Sequence, residues 1–250
     1  MEERWNDRGD GPGEGHQPGD RLHLPGSAGP DGIECVGTTA GTVLVKAIDP
    51  DGASITRIGS TLFFAANDGT SGWEVWKSDG TTAGTVLIAD ICPGACSSSP
   101  WQLAAVGSTL FFAANDGVTG WELWKSDGTA AGTVFVKDID PDPADYGSIS
   151  FLYPPPAAVG STLFFVANDG TDGIELWESD GTTAGTVIVK DICPGGCDAF
   201  DYLNPPVPLL TAVGSTLLFV AGDPTSGSEM WKSDGTNLVG PRLGLPPLRR

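Results

Sequence analysis

A tandem repeat constrains this chain more than any other feature of its sequence. The segment 61–91 (TLFFAANDGTSGWEVWKSDGTTAGTVLIADI) recurs at 109–139 with 24 of 31 positions identical. A third copy occupies 162–192, and a fourth starts at Thr216 and departs from the pattern after Thr236. The copies begin 48, 53 and 54 residues apart. A period of this length indicates a repeat architecture, in which each unit buries its apolar surface against its neighbours.

Each copy contains short apolar runs separated by glycine-rich joints. A brief apolar stretch precedes the copy, and TLFFAAN, WEVWKS and TVLIADI follow, joined by V-G-S, N-D-G-x-x-G and S-D-G-T-x-x-G-T. Asp-Gly between β-branched and aromatic runs indicates a hairpin, because glycine accepts a positive φ and aspartate bonds to its own backbone. Each unit is therefore predicted to be a four-stranded antiparallel sheet.

The predicted strands are apolar on both sides. Leu62 and Phe64 lie on one face of their strand, and Phe63 and Ala65 lie on the other. A sheet with one wetted face would alternate polar and apolar residues, so these sheets should be covered on both faces. Stacked four-stranded sheets of about 40–50 residues are the blades of a β-propeller. We predict an all-β propeller of four blades, and a β-solenoid is the weaker alternative.

The two ends of the repeat region carry matching fragments. Residues 31–48 (DGIECVGTTAGTVLVKAI) end in a fourth-strand sequence at 43–48, while the last copy stops before its fourth strand. We expect 43–48 to dock beside 229–233 and close a ring; the alternative is a fragment of a larger propeller. The repeat domain then covers 31–236, with units near 54–91, 101–139, 157–192 and 209–236, between a Gly/Pro-rich leader at 1–30, expected to be disordered, and an irregular tail at 237–250.

The charge distribution limits the partner classes. The chain has a net charge of −19, and residues 31–240, with 7 basic and 26 acidic side chains, account for the whole excess. An acidic body disfavours DNA and RNA, so cations, basic proteins or neutral glycans are the expected partners. No apolar run approaches the ~18–20 residues of a membrane-spanning helix. The first residues also lack the apolar region of a signal peptide.

A longer motif resembles a known family. The string E-L-W-x-x-D-G-T occurs at 122–129 and 175–182, and 74–81 and 229–236 match it with Val or Met in place of Leu. With the following G-T-V-x-V-K-D-I, the chain resembles the bacterial ELWxxDGT-repeat family over about residues 31–236. The resemblance implies a propeller-like repeat in large, often exported or surface-associated bacterial proteins. It implies no catalytic residue, because that family is defined by its repeat.

Carboxylates recur at fixed positions of the unit. Those of the N-D-G loops include Asp68, Asp116 and Asp169, and those of S-D-G-T are Asp79, Asp127, Asp180 and Asp234. Oxygen atoms in glycine-rich loops suit Ca²⁺, but the D-x-D-x-D-G spacing is absent. We favour turn closure and predict no cofactor, with Ca²⁺ at Asp68, Asp116 and Asp169 as the alternative. Glu74 and its equivalents should be partly buried, with repeated lysines or backbone N–H groups as donors.

The tryptophans fall into two groups. One group occupies the same position in every copy, which predicts packing between blades with a locally satisfied indole N–H: Trp76, Trp124, Trp177 and Trp231. The other group, Trp73 and Trp121, follows a loop glycine, and a packing variant is favoured there over a sugar-stacking platform. The candidate binding residues are these two with the linker tyrosines: Trp73, Trp121, Tyr146, Tyr153 and Tyr202.

Four of the five cysteines form two matched C-P-G-x-C pairs after a fourth strand: Cys92 with Cys96, and Cys193 with Cys197. A Pro-Gly turn with three intervening residues allows a local disulfide, which implies an oxidising compartment, outside the cell or at its surface. The rival interpretation is a Zn²⁺ site shared by both pairs, although the C-x-x-C spacing is absent. Cys35 has no assigned partner.

The residue inventory disfavours catalysis. The two histidines, His16 and His23, lie in the leader, and Arg57 is the only arginine in 31–240. The repeat region therefore lacks a Ser-His or Cys-His base. A glycosidase needs only a carboxylate pair, but these acids repeat in every unit, whereas an active site should interrupt a repeat. We expect a non-catalytic scaffold that binds protein or glycan, with a carboxylate-dependent glycoside hydrolase as the alternative.

Overall fold

Fifteen β-strands form the regular secondary structure of the residues that the structure, a computed structural model, describes: 42–141, 154–200 and 210–236. Blade 1 contains β1 (Asp49–Ile58), β2 (Thr61–Asn67), β3 (Trp73–Ser78) and β4 (Val86–Ala89). Blade 2 contains β5 (Trp101–Val106), β6 (Thr109–Asn115), β7 (Trp121–Ser126) and β8 (Val134–Lys137). Blade 3 contains β9 (Ala157–Val159), β10 (Thr162–Asn168), β11 (Ile174–Ser179) and β12 (Val187–Lys190). Blade 4 contains β13 (Thr211–Val213), β14 (Thr216–Asp223) and β15 (Gly227–Ser233).

Each blade is an antiparallel meander, in which strands consecutive in sequence are neighbours in the sheet. The pairing of the third and fourth strands contains the same irregularity in blades 1, 2 and 3. In blade 1, Val75 pairs with Ala89 and Trp76 pairs with Leu87, which leaves Ile88 as an extra residue. Such a bulge bends the strand and increases its twist. The repeat therefore specifies the curvature of each blade as well as its strands.

Alternate residues of each second strand face different neighbours. Phe63 of blade 1 packs with Leu110 and Phe112 of blade 2 in one buried cluster. Phe111, on the other face of the same blade 2 strand, packs with Leu163 and Phe165 of blade 3. The next cluster joins blades 3 and 4 in the same way. Burying each large side chain contributes roughly 1.5–3 kcal/mol, so the joints between blades form the core. The predicted all-β, propeller-type stack of blades is confirmed, and blades 2 and 3 are covered on both faces.

Polar contacts also recur at the joints between blades. The ammonium of Lys137 in blade 2 lies 5.4 Å from the Trp177 ring centroid of blade 3 and donates to the Thr186 carbonyl at 2.8 Å. Lys46 makes the equivalent contacts, 5.2 Å from the Trp76 ring and 2.7 Å from the Thr85 carbonyl. Residues 44–48 therefore occupy the position that the fourth strand of a preceding unit would take.

The expected docking of 43–48 beside 229–233 is not formed. Within the described ranges β15 pairs with β14 alone, so blade 4 has three strands. Residues 44–48 lie outside any strand, and Lys46 holds them against blade 1. All fifteen strands lie in a unit that begins at Leu44. No helix in the described part of the chain is long and apolar enough to cross a membrane.

Candidate functional site

The loops at one end of the blades form the candidate site. Because the strands are antiparallel, the loop before each third strand lies at the same end as the segment after each fourth strand. We call this surface, made of 67–73, 90–100, 115–121, 138–141, 168–174 and 191–200, the loop face. Neighbouring blades meet in it, since a Cβ added at Gly117 of blade 2 would lie 3.1 Å from the Cys92 sulfur of blade 1.

The N-D-G aspartates use a carboxylate oxygen to close their own loops. Asp68 Oδ1 accepts hydrogen bonds from the backbone N–H groups of Thr70 at 2.9 Å and Ser71 at 2.8 Å. These bonds, that of Ser71 first, lower the pKa of Asp68. Asp116 and Asp169 accept the equivalent pairs of bonds. Among the described residues, no group of three or more His, Cys, Asp or Glu side chains is placed to hold a metal ion.

The S-D-G-T aspartates lie at the opposite end of the blades. Asp79 Oδ1 accepts from the Thr81 hydroxyl at 2.7 Å and the Thr81 N–H at 2.9 Å, and these bonds lower the pKa of Asp79. The carboxylate packs so closely on Gly84 that a Cβ added there would collide with it. The same two bonds from the threonine recur at Asp127, Asp180 and Asp234. These residues shape a turn remote from the loop face.

The repeated glutamates lie beneath the loop face. Glu74, Glu122 and Glu175 are 0% exposed. Glu175 accepts from the N–H groups of Ile192 at 3.0 Å and Cys193 at 2.9 Å. Burial raises the pKa of Glu175 to about 7 against the opposing effect of these bonds. The donors are backbone N–H groups, so each glutamate ties the segment after the fourth strand to the third strand.

Blade 1 adds a donor that the sequence did not single out. The Ser98 hydroxyl donates to Glu74 Oε2 at 2.6 Å, and the Ser98 N–H donates to Oε1 at 3.0 Å. Burial nevertheless raises the pKa of Glu74. The preceding residue Ser97 accepts the N–H of Trp73 at 3.0 Å, and Asp198 accepts the N–H of Ile174 at 2.9 Å. The sequence signal for Ser97 and Asp198 was their position, since each is a hydrogen-bonding residue directly after the second cysteine of its pair.

Trp73 and Trp121 stand at equivalent places on the loop face, at the starts of β3 and β7. Both are half-buried, and Trp121 packs against the cluster between blades 2 and 3. Each therefore presents part of its ring to solvent beside an N-D-G loop. The other candidate binding residues, Tyr146, Tyr153 and Tyr202, lie outside the described residues.

The repeated tryptophans lie in the joints, but the expectation for their N–H groups is wrong in three blades. Trp231 donates to the Ala221 carbonyl at 3.0 Å. The indole N–H groups of Trp76, Trp124 and Trp177 are buried and have no hydrogen-bond partner among the described residues. Such a group costs about 1–3 kcal/mol. Apolar packing offsets this cost, as do the lysine ammonium groups over the Trp76 and Trp177 rings.

The cysteine pairs form disulfides, Cys92–Cys96 and Cys193–Cys197, each with Cα atoms 5.3 Å apart. The sulfur atoms are bonded to each other, so the shared Zn²⁺ site is not formed. Blade 2 has Asp140 in place of the first cysteine, and a Cβ added at Gly170 of blade 3 would lie 2.9 Å from Asp140 Oδ1. Disulfides form in oxidising compartments, so the pairs point away from a reducing cytoplasm.

The comparisons with known proteins bear on the fold alone. No family model matches the chain, and no curated protein matches it. A puromycin hydrolase structure is 15% identical, with a TM-score of 0.48 over 75% of this chain and 27% of that one. TolB from Acinetobacter baumannii is 13% identical, with a TM-score of 0.40 over 74% of this chain and 41% of TolB. An α-L-arabinofuranosidase from Clostridium thermocellum is 12% identical, with a TM-score of 0.32 over 75% of this chain and 68% of the enzyme.

This chain spans only 25% and 27% of the length of two puromycin hydrolase structures. Their activities therefore carry no inference about this chain.

Proposed function

We propose that this protein is a non-catalytic repeat scaffold that binds protein or glycan through its loop face. The observation that carries the proposal is the use of the repeated acids. Asp68, Asp116 and Asp169 each close their own loop, and Glu74 and Glu175 bind backbone N–H groups while fully buried. These acids hold the loops in place through backbone hydrogen bonds, so they have a structural role. Ligand binding is then left to the outer surface of the loop face and its half-buried tryptophans.

The loop face has two properties that favour particular ligands. Its many aspartates favour basic protein segments or neutral glycans over polyanions. Two half-buried tryptophans, Trp73 and Trp121, carry flat apolar rings of the kind on which sugar rings stack. The disulfides and the resemblance to the ELWxxDGT-repeat family support a location outside the cell or at its surface.

The test is a glycan and basic-peptide array probed with the full chain, followed by affinity measurements. We expect Trp73→Ala and Trp121→Ala each to weaken binding about 5–10-fold, since one aromatic contact contributes about 1 kcal/mol. Val134→Ala is the control, because Val134 is 38% exposed in β8 of blade 2 and outside the loop face. Binding that both tryptophan variants leave unchanged would contradict the proposal.

One observation favours the alternative, a carboxylate-dependent glycoside hydrolase. Glycosidase acids have raised pKa values, and burial raises the pKa of Glu175 to about 7. However, Glu175 is 0% exposed and both its oxygens accept backbone hydrogen bonds, so a substrate does not reach it. A panel of chromogenic glycosides decides between the two. Turnover that disappears in Glu175→Gln would overturn the scaffold proposal.

A further inference from the structure

Blade 4 ends in a face that a following blade covers in the other three. We call it the open face, and it consists of Val213, Leu218, Val220, Met230 and Lys232. Met230 is 77% exposed and Val213 is 54% exposed. At the position of Met230, the other three blades have residues that are buried in the joints: Val75, Leu123 and Leu176. In the described part of the chain β15 also has no strand on its outer edge.

Blade 1 lacks the complementary contacts at its own outer side. At each formed joint, the S-D-G-T glycine lies on a phenylalanine of the preceding blade. A Cβ added at Gly128 would lie 3.3 Å from Phe63, and one added at Gly181 would lie 3.1 Å from Phe111. A Cβ added at Gly80 would meet nothing within 4 Å. Gly80 thus lacks a covering residue equivalent to Phe63 or Phe111. On the open face, Leu218 is the residue equivalent to these two phenylalanines.

Residues 44–48 already carry the contacts of a fourth strand. Residues 42–48 (TVLVKAI) match 133–139 (TVFVKDI) at five of seven positions. Lys46 reproduces the stacking of Lys137, and the Thr82 hydroxyl donates to the Val45 carbonyl at 2.7 Å, as Thr183 does to Val136. These are all contacts across a joint. No strand in the described part of the chain pairs with residues 44–48, and Leu44 is 73% exposed.

We infer that the open face binds a second copy of this chain head to tail. Residues 44–48 of the second copy pair with β15 as the missing fourth strand, and its blade 1 stacks on the open face. Exposed strand edges pair readily with an added strand. The register of β3 with β4 places Met230 opposite Lys46 and Trp231 opposite Leu44. The joint thus continues the series of three joints already formed within the chain.

Two polar groups of blade 4 gain partners in this assembly. Glu229 is exposed, whereas its equivalents accept the N–H groups of residues such as Ile91. Ile48 of the second copy is the residue equivalent to Ile91 and would supply that donor. Lys77 donates to the Gly128 carbonyl at 2.6 Å, so Lys232, its equivalent, would reach Gly80 of the second copy. A heterologous contact of this kind produces closed rings or open filaments.

The test is the mass of the full chain in solution as a function of concentration, measured by sedimentation velocity. We expect species larger than a monomer that grow with concentration. Met230→Asp and Leu44→Asp should each remain monomeric, and because these side chains are 77% and 73% exposed, circular dichroism should stay unchanged. Val118→Asp is the matched control, since Val118 is 80% exposed on the loop face and should assemble normally.

Mixing the two defective variants tests the direction of the contact. Met230→Asp keeps residues 44–48 intact, and Leu44→Asp keeps the open face intact. The mixture should therefore form 1:1 dimers that do not grow into larger assemblies. A mixture that stays monomeric would overturn the proposal. A wild-type chain that is monomeric at every concentration would also overturn the proposal. Hydrogen exchange of the β15 amides then tells an unpaired edge, where the amides exchange freely, from ring closure within one chain, where they are protected.

Discussion

Raising the pH from about 4.5 to about 7.5 should destabilise this protein through Glu175. Its carboxyl is 0% exposed, and burial raises its pKa from 4.5 to about 7. A raised folded-state pKa means that the folded protein holds this proton more tightly than the unfolded chain. The contribution is therefore complete below about pH 4.5, falls as the pH rises to about 7, and is constant above that. The pKa difference corresponds to about 3 kcal/mol of unfolding free energy.

Urea unfolding at a series of pH values, compared between wild type and Glu175→Gln, measures this contribution. Glutamine does not titrate, so the variant should lose about 3 kcal/mol of the pH-dependent difference across that range. Only the pH dependence is compared, because the amide of the substituted side chain has one oxygen and accepts one of the two backbone hydrogen bonds. Glu229→Gln is the control, since Glu229 is the exposed equivalent in blade 4. A variant profile that parallels the wild type would refute the reasoning.

Three further changes should alter stability in defined directions. Glu178→Lys should stabilise the protein by about 1 kcal/mol in thermal unfolding, because burial and the carboxylates of Asp180 and Asp234 disfavour the Glu178 charge, at a position that is lysine in blades 1, 2 and 4; lower stability would contradict this. Gly84→Ala should cost about 2 kcal/mol or more, since its Cβ would collide with the Asp79 carboxylate, and Gly84→Ala in Asp79→Gly should cost less. Thiol quantification without reductant should find one free thiol among five cysteines, and five free thiols would contradict both disulfides. Reducing Cys92–Cys96 should lower the free energy of unfolding by about 2 kcal/mol.

The fold could be predicted because the same strand and turn patterns recur in every copy of the repeat. Apolar residues on both faces of TLFFAAN indicated covered sheets, and the Asp-Gly joints marked the hairpins. The parity of Glu74 with Trp76 also indicated a carboxylate facing inward. The sequence left its donors open between repeated lysines and backbone N–H groups, because a backbone N–H has no residue type. Only the path of the chain after β4 places those groups at the carboxylate.

The position of residues 44–48 could not be predicted for a different reason. A fourth strand has two neighbours, the third strand of its own sheet and the next blade across the joint. The sequence TVLVKAI is equally suited to both, and the structure forms the second contact alone. The unpartnered N–H of Trp177 was also missed, because a repeated tryptophan reports burial and says nothing about what its nitrogen meets.

The joints between blades are unequal, which matters for how the stack comes apart. The joint of blades 2 and 3 has the Lys137 contact over Trp177 and the Thr183 hydrogen bond, whereas the joint of blades 1 and 2 has Ala89 and Ala130 at those positions. The stability of a repeat array is approximately a sum of unit terms and nearest-neighbour coupling terms. The joint of blades 3 and 4 keeps the lysine contact, with the Lys190 ammonium 4.6 Å from the Trp231 ring centroid. Weak coupling at the first joint therefore lets blade 1 fray independently of blades 2, 3 and 4. Under a pulling force applied at its ends, this chain should therefore lose blade 1 first, before the joints of blades 2, 3 and 4 open.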